Sequence, residues 1–212
     1  MLTNGIATER IILQPFAPDA FEAAYTWFGD PYVMRYTPTG PDRSREQTRR
    51  RLAEYAEHQA LYGFSKWAIA LPGGDLIGDA GLLHTKDSGE IELGFRLMRN
   101  QWGRGYATEV ATAWVEAARE QFSLPRVMAF AHPDNGASLR ILEKVGFRYS
   151  RYGVMLGMQA VVYESELSPV ADQPQIGAFA TATMTSMTRV AGSGHIGALW
   201  RTSELFDWGR DG

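Results

Sequence analysis

The stretch GEIELGFRLMRNQWGRGYATEV, residues 89–110, passes from a strand pattern through a glycine turn into a helix pattern. In its first half, apolar residues alternate with polar or small ones, and the two sets are Ile91, Leu93, Phe95, Leu97 and Glu90, Glu92, Gly94, Arg96. A period of two predicts a strand with one packed face and one face that carries carboxylates. Its second half opens an apolar stripe with helical spacing: Ala107, Val110, Ala111, Trp114, Val115, Ala118. We therefore expect a strand, a short turn and a helix that lies on the sheet.

The turn between these two elements suits a negatively charged guest. A helix N-terminus after a tight turn directs unpaired backbone N–H groups and the positive end of the helix dipole toward one point. Gly103 and Gly105 carry no side chain that would block a phosphate. An ordinary strand-to-helix turn has the same glycines, and neither a P-loop nor a Rossmann pattern is present. The rest of the chain has to decide between these readings.

The remaining sequence predicts an α/β domain. Short apolar runs bounded by Gly, Pro or Asp predict further strands at residues 11–16, 66–71, 75–85, 126–132, 147–152 and 159–167. Helical spacing predicts helices at residues 21–28, from a Ser44 cap to about Tyr62, and after Asn135. The PGG and KDSG turns join three consecutive strands into an antiparallel meander.

Composition narrows the function. The 212 residues are 45% hydrophobic with a net charge of -3, which supports one main core and gives no broad positive field for nucleic acid. Cysteine is absent and the four histidines are not at metal-ligand spacing, so we expect no metal. The N-terminus lacks a signal-peptide pattern and no apolar run is long enough to span a bilayer, so we expect a cytoplasmic protein with no membrane partner.

Five segments in this order resemble the GNAT superfamily of acyl-CoA N-acetyltransferases, within it the Rim-type branch related to ribosomal-protein alanine N-acetyltransferases. The segments are TERIILQPF, DPYVMRY, LIGDAGL, residues 89–110 and HPDNGASLRILEKVGF. The resemblance covers about residues 8–167. It implies an α/β (α+β) GNAT fold, in which a mixed, mostly antiparallel sheet of six to seven strands is flanked by helices and splayed at an acyl-CoA cleft.

The resemblance also implies a set of site residues. The loop Trp102, Gly103, Arg104, Gly105, Tyr106, Ala107 would bind the coenzyme A pyrophosphate through backbone amides, although Trp102 stands where the family usually has Gln or Arg. Leu97 and Met98 would pair with pantetheine, and Asn135 and Ser138 would contact coenzyme A. Asn135 also fits a helix N-cap. Glu92 would accept the proton of the acceptor amine, with Glu90 as the second candidate for this role. Both glutamates also fit the solvent-exposed face of a strand.

The implied reaction is direct transfer of an acetyl group from acetyl-CoA, as co-substrate, to a primary amine of a small molecule or a protein N-terminus. Leu142 stands where many relatives carry a tyrosine as general acid; either Tyr149 or Tyr152 would take this role, or the thiolate would leave to solvent. Transfer of another acyl group such as succinyl is one alternative; a non-catalytic acyl-CoA sensor is the other. A monomer and a homodimer both remain open.

Residues 168–212 form a low-complexity extension rich in Thr, Gly, Ser and other small residues. This composition predicts a flexible appendage, with a regulatory or partner-docking tail as the functional alternative.

Overall fold

Eight strands form one open sheet in the computed structural model, which describes residues 5–85 and 88–167. The strands are β1 (Ile6–Ala7), β2 (Ile12–Gln14), β3 (Lys66–Ala70), β4 (Leu76–His84), β5 (Ile91–Leu97), β6 (Arg126–Ala131), β7 (Arg148–Met155) and β8 (Met158–Glu166). The helices are α1 (Phe21–Phe28), α2 (Pro31–Met34), α3 (Arg45–Tyr62), α4 (Tyr106–Glu120) and α5 (Gly136–Lys144), with a 3-10 turn at Arg99–Gln101.

The sheet has the order β1-β2-β3-β4-β5-β6-β8-β7, and the pairing of β5 with β6 is its parallel one. The antiparallel neighbours β4 and β5 pair along seven residues, whereas β5 and β6 are in register at a single pair, Glu92 and Met128. The two strands therefore separate beyond Glu92. This separation confirms a sheet that is splayed at its centre.

Helices cover both faces of the sheet. Strand β5 alternates as its sequence predicts, so that Leu93 and Leu97 are buried against Val110, Ala111 and Trp114 of α4. The opposite face is covered by α1, α2 and α3, whose apolar side chains make a second core around Trp27, Phe28, Met34, Leu52 and Tyr55. The polar face of β5 is thus enclosed by helices rather than open to solvent.

The structure has one strand more than the predicted six to seven. The additional strand is β1, which pairs Ile6 with Leu13 and Ala7 with Ile12. Two residues are too short to carry a periodic signal, so sequence patterns cannot find such an edge strand. The sheet consequently begins two residues before the predicted boundary at residue 8. The predicted extension at 168–212 lies outside the described residues.

The predicted start and end of α3 agree with its capping residues in the structure. Ser44 accepts a hydrogen bond from the Gln47 N–H at the start of α3, and Gly63 ends this helix in the left-handed conformation. Across the described ranges, 5–85 and 88–167, no helix combines the length and the apolar character that crossing a membrane requires.

Candidate active site

A cleft of about 270 Å³ opens where β5 and β6 separate. Its walls come from the segment after α2, from α3, from strands β3 to β6 and from α5. Of the predicted site residues, Glu92, Asn135 and Ser138 line the cleft. Leu97, the last residue of β5, and Met98 and the loop at 102–107, which follow it, are outside the lining. The cleft therefore joins β5 to the start of α5.

The loop at residues 102–107, called the glycine loop below, has the geometry of an anion cradle. Gly103 and Gly105 adopt φ angles of +75° and +84°, which side chains other than glycine rarely tolerate, and Gly105 is the N-cap of α4. In the described part of the chain, no backbone acceptor pairs with the N–H groups of residues 103 to 107. Several donors at the positive end of a 15-residue helix therefore stay free for a ligand.

An ion pair braces the glycine loop from outside. Arg10 donates through Nε to Glu109 Oε2 at 2.8 Å and through Nη1 to the Arg104 carbonyl at 2.9 Å. Thr8 Oγ1 donates to the other oxygen of Glu109. Burial opposes the charged form of Glu109, but the hydrogen bonds from Thr8 and Arg10 outweigh it and lower the pKa of this carboxyl. Sequence patterns place Glu109 on the solvent side of α4; the structure instead makes it a loop support.

Trp102 ties the glycine loop to the end of β5. Its indole Nε1 donates to the Leu97 carbonyl at 2.8 Å, while 45% of the residue stays exposed. The Met98 N–H donates to the Ile77 carbonyl at 2.8 Å, so the strand end remains fixed to β4. Tyr106 lies beneath the Arg10 guanidinium, 4.9 Å from its ring centroid. The Arg104 side chain is exposed.

The start of α5 forms another part of the cleft wall. The Asn135 side chain accepts a hydrogen bond from the Ser138 N–H at 3.3 Å, so Asn135 is the N-cap of α5 and a lining residue at once. Leu142 lines the cleft one turn further on and is buried. Tyr149 and Tyr152 lie on β7, are 62% and 57% exposed, and are not among the described residues that line the cleft. Their predicted role as a substitute acid is therefore not supported.

The opposite side of the cleft is lined by charged and hydroxyl side chains, called the polar wall below: Arg51, Glu54, Tyr55, Lys66, Glu92 and Arg96. Its centre is a buried ion pair. Arg96 donates to Asp79 through Nη2 at 2.7 Å and to the Tyr55 hydroxyl at 3.0 Å, and Asp79 also accepts from Trp27 Nε1 at 2.9 Å. Burial would lower the pKa of Arg96, but the charge of Asp79 outweighs it and raises this pKa, so Arg96 stays a cation.

A second pair stands beside the first. Arg51 donates to Asp42 through Nη2 at 2.6 Å, and Thr48 Oγ1 donates to the same carboxylate at 2.9 Å. The Asp42 and Asp79 side chains are fully buried. Each of the two arginines therefore has its charge balanced from behind, away from the cleft.

Glu92 faces a buried lysine. Its Oε1 lies 3.8 Å from Lys66 Nζ, and the Lys66 side chain is 6% exposed. Desolvation lowers the pKa of Lys66, although Glu92 opposes this effect. Glu90, the second predicted candidate, instead accepts hydrogen bonds from Ser88 and Arg126 outside the cleft lining. Lys66, Arg96 and Asp79 were not found from the sequence.

The aromatic residues Trp27, Tyr32, Tyr36 and Trp67 differ in their access to the cleft. Tyr36 does line the cleft, and its ring stacks on His132 with centroids 5.2 Å apart. Trp27 and Trp67 are buried in the two cores, and Tyr32 is exposed with the Arg99 guanidinium 4.2 Å from its ring centroid. The DPYVMRY segment thus contributes Val33 and Tyr36 to the cleft.

Comparison with known proteins identifies the family. The model of the acetyltransferase (GNAT) domain matches residues 10–148. The chain belongs to the GNAT acetyltransferase family. An uncharacterized N-acetyltransferase of Bacillus subtilis, YnaD, is 29% identical over 149 residues, which are 68% of this chain and 82% of YnaD.

Solved GNAT structures share the fold. An acetyltransferase from Agrobacterium tumefaciens superimposes with a TM-score of 0.70 at 26% identity, covering 78% of this chain and 96% of its own. RimL, a ribosomal L7/L12 alpha-N-protein acetyltransferase solved in complex with coenzyme A, superimposes with a TM-score of 0.65 at 14% identity, covering 76% and 97%. Rim-type enzymes are therefore among the structural neighbours of this GNAT domain, as the sequence predicts.

Among the described side chains of the GNAT domain, no three His, Asp or Glu residues come together as a metal site would require.

Proposed function

We propose that this GNAT domain transfers an acetyl group from acetyl-CoA directly to a primary amine, with Glu92 as the group that accepts the amine proton. The observation that carries the proposal is the separation of β5 from β6 at Glu92, which leaves a carboxylate on the wall of a cleft at the centre of the sheet. A neutral amine is the nucleophile that such a reaction needs.

The glycine loop supports the coenzyme A part of this proposal. Its free N–H groups surround the N-terminus of α4, where a pyrophosphate gains hydrogen bonds and dipole stabilisation together. Leu97 and Met98 sit between this loop and the cleft, on the path of a pantetheine arm that runs from one to the other. Asn135 and Ser138 border the cleft from α5 and are the proposed contacts on its far side. RimL has this fold in complex with coenzyme A.

The charges of the polar wall support an acceptor that arrives as an ammonium ion. Arg51 and Arg96 are each neutralised by a fully buried aspartate. The remaining charged side chains of the wall are one amine, Lys66, and two carboxylates, Glu54 and Glu92. The surplus carboxylate attracts a cation and disfavours an anionic acceptor.

The reaction follows from these parts. Glu92 removes a proton from the ammonium group, through a water molecule or directly, and the neutral nitrogen attacks the thioester carbonyl. We propose that a backbone N–H at the end of β5, near Leu97, stabilises the oxyanion; the Met98 N–H is already bonded to the Ile77 carbonyl. The carbon–sulfur bond breaks, and the thiolate leaves with a proton that the attacking nitrogen loses.

The release of coenzyme A thiol tests this proposal directly. The chain has no cysteine, so a thiol reagent reports coenzyme A alone. Purified protein is mixed with acetyl-CoA and, in turn, with a peptide that begins with alanine or serine, with spermidine and with phenylethylamine. Parallel reactions with succinyl-CoA test the donor.

The matched variant changes Gly103 and Gly105 together to valine. We expect the wild type to release thiol only when an amine is present. The double variant should lose both this thiol release and the acetyl-CoA binding seen in calorimetry, while its circular dichroism spectrum stays unchanged. Binding of acetyl-CoA without turnover of any amine would instead support an acyl-CoA sensor. No binding by the wild type would refute both readings.

A further inference from the structure

Lys66 is placed where a lysine rarely occurs. It belongs to β3, its side chain is 6% exposed, and it turns toward the face of the sheet that α1 and α3 cover. Lysine is almost never fully buried unless a partner balances it. Its ion-pair partner within the described residues is Glu92, at 3.8 Å, a distance that allows attraction but exceeds that of a hydrogen bond.

Gly94 leaves space for the end of the Lys66 side chain. Lys66 pairs with Gly81 across β3 and β4, and Gly81 pairs with Gly94 across β4 and β5. A Cβ atom on Gly94 would lie 2.0 Å from Lys66 Nζ and 3.0 Å from Glu92 Oε1. Gly94 is therefore glycine because the amine of Lys66 occupies the space of its side chain. The Lys66 side chain therefore extends from β3 over Gly81 of β4 and Gly94 of β5, and its amine reaches the Glu92 carboxylate in the cleft.

The groups around Lys66 favour the neutral form of its amine. The charged and titratable groups that act on Lys66 come from three elements and are Glu92 and Arg96 of β5, Asp79 of β4, and Arg51 of α3. Tyr55 and Glu54 of α3 line the same cleft. Burial disfavours the ammonium form of Lys66 and lowers its pKa; Arg96 and Arg51 act in the same direction, while Glu92 and Asp79 oppose them.

From this geometry we propose that Lys66 is the proton acceptor behind Glu92: the proton that the acceptor ammonium loses passes through the Glu92 carboxylate to Lys66 Nζ. The inference rests on the proposed acetyl transfer. A carboxylic acid in water gives up its proton above about pH 4 to 5, so a carboxylate alone holds the proton of an ammonium only briefly. An amine holds a proton more firmly than a carboxylate does, so an unprotonated Lys66 beside Glu92 can take the proton over from it.

The protons balance over one turnover. The acceptor ammonium loses its first proton to Glu92, which passes it to neutral Lys66, so Glu92 is a carboxylate again when the nitrogen attacks. The nitrogen forms its bond to the acetyl carbon, the carbon–sulfur bond breaks, and the second amine proton goes to the thiolate. Lys66 then releases the first proton to solvent after the products have left.

The three lysines of the chain make Lys66 directly observable. Lys66, Lys86 and Lys144 are its only lysines, so protein labelled with ¹³C at the lysine ε position gives three signals. Lys66→Met assigns the first signal, and Lys144→Met assigns that of an exposed reference at the end of α5. We expect Lys66 to titrate at lower pH than Lys144. Glu92→Gln removes the carboxylate that holds the ammonium and should lower the Lys66 midpoint further.

The second experiment measures turnover with an amine that the wild type acetylates in the thiol-release test. We expect Lys66→Met to lower kcat at pH 7 by about tenfold or more, a smaller loss than the roughly 10²- to 10⁴-fold typical of a general base that contacts the substrate, because Glu92 is still present. The defect should shrink as the pH approaches the pKa of the acceptor, because the amine then needs no base. Lys144→Met should leave the rate and its pH profile unchanged, and acetyl-CoA affinity serves as the check on folding.

Each outcome has a separate meaning. A Lys66 signal that titrates together with Lys144 overturns the inference, and so does a Lys66→Met variant with the wild-type pH profile. Where Lys66→Met fails to fold, Lys86→Met and Lys144→Met assign the other two signals, and the remaining signal of the labelled wild type is that of Lys66. No turnover of any amine by the wild type refutes the proposed function itself, whatever the titration of Lys66.

Discussion

The glycine loop offers backbone N–H groups from consecutive residues, whereas the polar wall consists of side chains from α3 and from strands β3 and β5, supported by α1 and β4. In the loop, Gly103 and Gly105 matter because they have no side chain and adopt positive φ angles. Arg10, paired with Glu109, holds the loop through a hydrogen bond to the Arg104 carbonyl. In the wall, Asp79 links Trp27 to Arg96, residues 52 and 17 positions away in the chain. One site is made by backbone conformation and the other by distant contacts.

This difference predicts where substitutions act. A loop held by amides should tolerate changes of side chain but not of backbone conformation. A wall of paired charges should respond to the loss of any single partner, because the other charge is left buried. The two regions can therefore be separated by what is measured: acetyl-CoA affinity for the loop, and turnover or stability for the wall.

The largest effect is expected at Glu92. Glu92→Gln keeps the size of the side chain and removes its ability to accept a proton, so kcat should fall by about 10²- to 10⁴-fold. Acetyl-CoA affinity, measured by calorimetry, should stay within about twofold, because the proposed coenzyme A contacts lie in the glycine loop and at the start of α5 rather than at Glu92. A variant with normal turnover would remove Glu92 from the mechanism and reduce the polar wall to a structural role.

The next effect is expected in folding stability. Asp79→Asn leaves Arg96 as a buried cation without its counter-charge, which should lower the free energy of unfolding by about 3 to 5 kcal/mol. Denaturant unfolding at pH 7 measures it. The control is Glu46→Gln, which breaks the exposed pair with Arg49 on α3 and should cost less than about 1 kcal/mol. Equal losses in the two variants would show that the Asp79–Arg96 pair is not special.

Sequence patterns recover the loop better than the wall, for the same physical reason. Strand β5, the glycine turn and α4 are adjacent in the chain, so periodicity and two glycines predict them together. Asn135 likewise shows its capping role within four residues. Lys66 and Arg96 occupy strand positions that single-sequence reading assigns to a solvated face, and their partners become neighbours only when β3, β4 and β5 pair. The Arg10–Glu109 brace spans 99 positions and was hidden for the same reason.

A smaller effect, specific to the loop, is expected from Gly105→Ala. At a φ of +84° an alanine costs about 1 to 2 kcal/mol, and its Cβ would lie 3.3 Å from Arg10 Nη2. The free loop should relax away from this conformation, so acetyl-CoA binding has to restore it and weakens by about tenfold. Gly157→Ala is the matched control, because Gly157 has a φ of +78° in the β7–β8 turn. Equal affinities in both variants would argue against a backbone cradle.

The smallest effect is expected from Arg104→Ala, and it is the sharpest test of a loop that binds through its backbone. The Arg104 side chain is exposed, whereas its carbonyl accepts from Arg10 and its N–H remains free. Alanine keeps both backbone groups, so acetyl-CoA affinity should change by about twofold or less, within the range of an exposed substitution. Calorimetry at low and high salt checks it. A tenfold loss that disappears at high salt would mean that the guanidinium itself contacts phosphate, and the contrast between a backbone-built loop and a side-chain-built wall would then no longer hold at this residue.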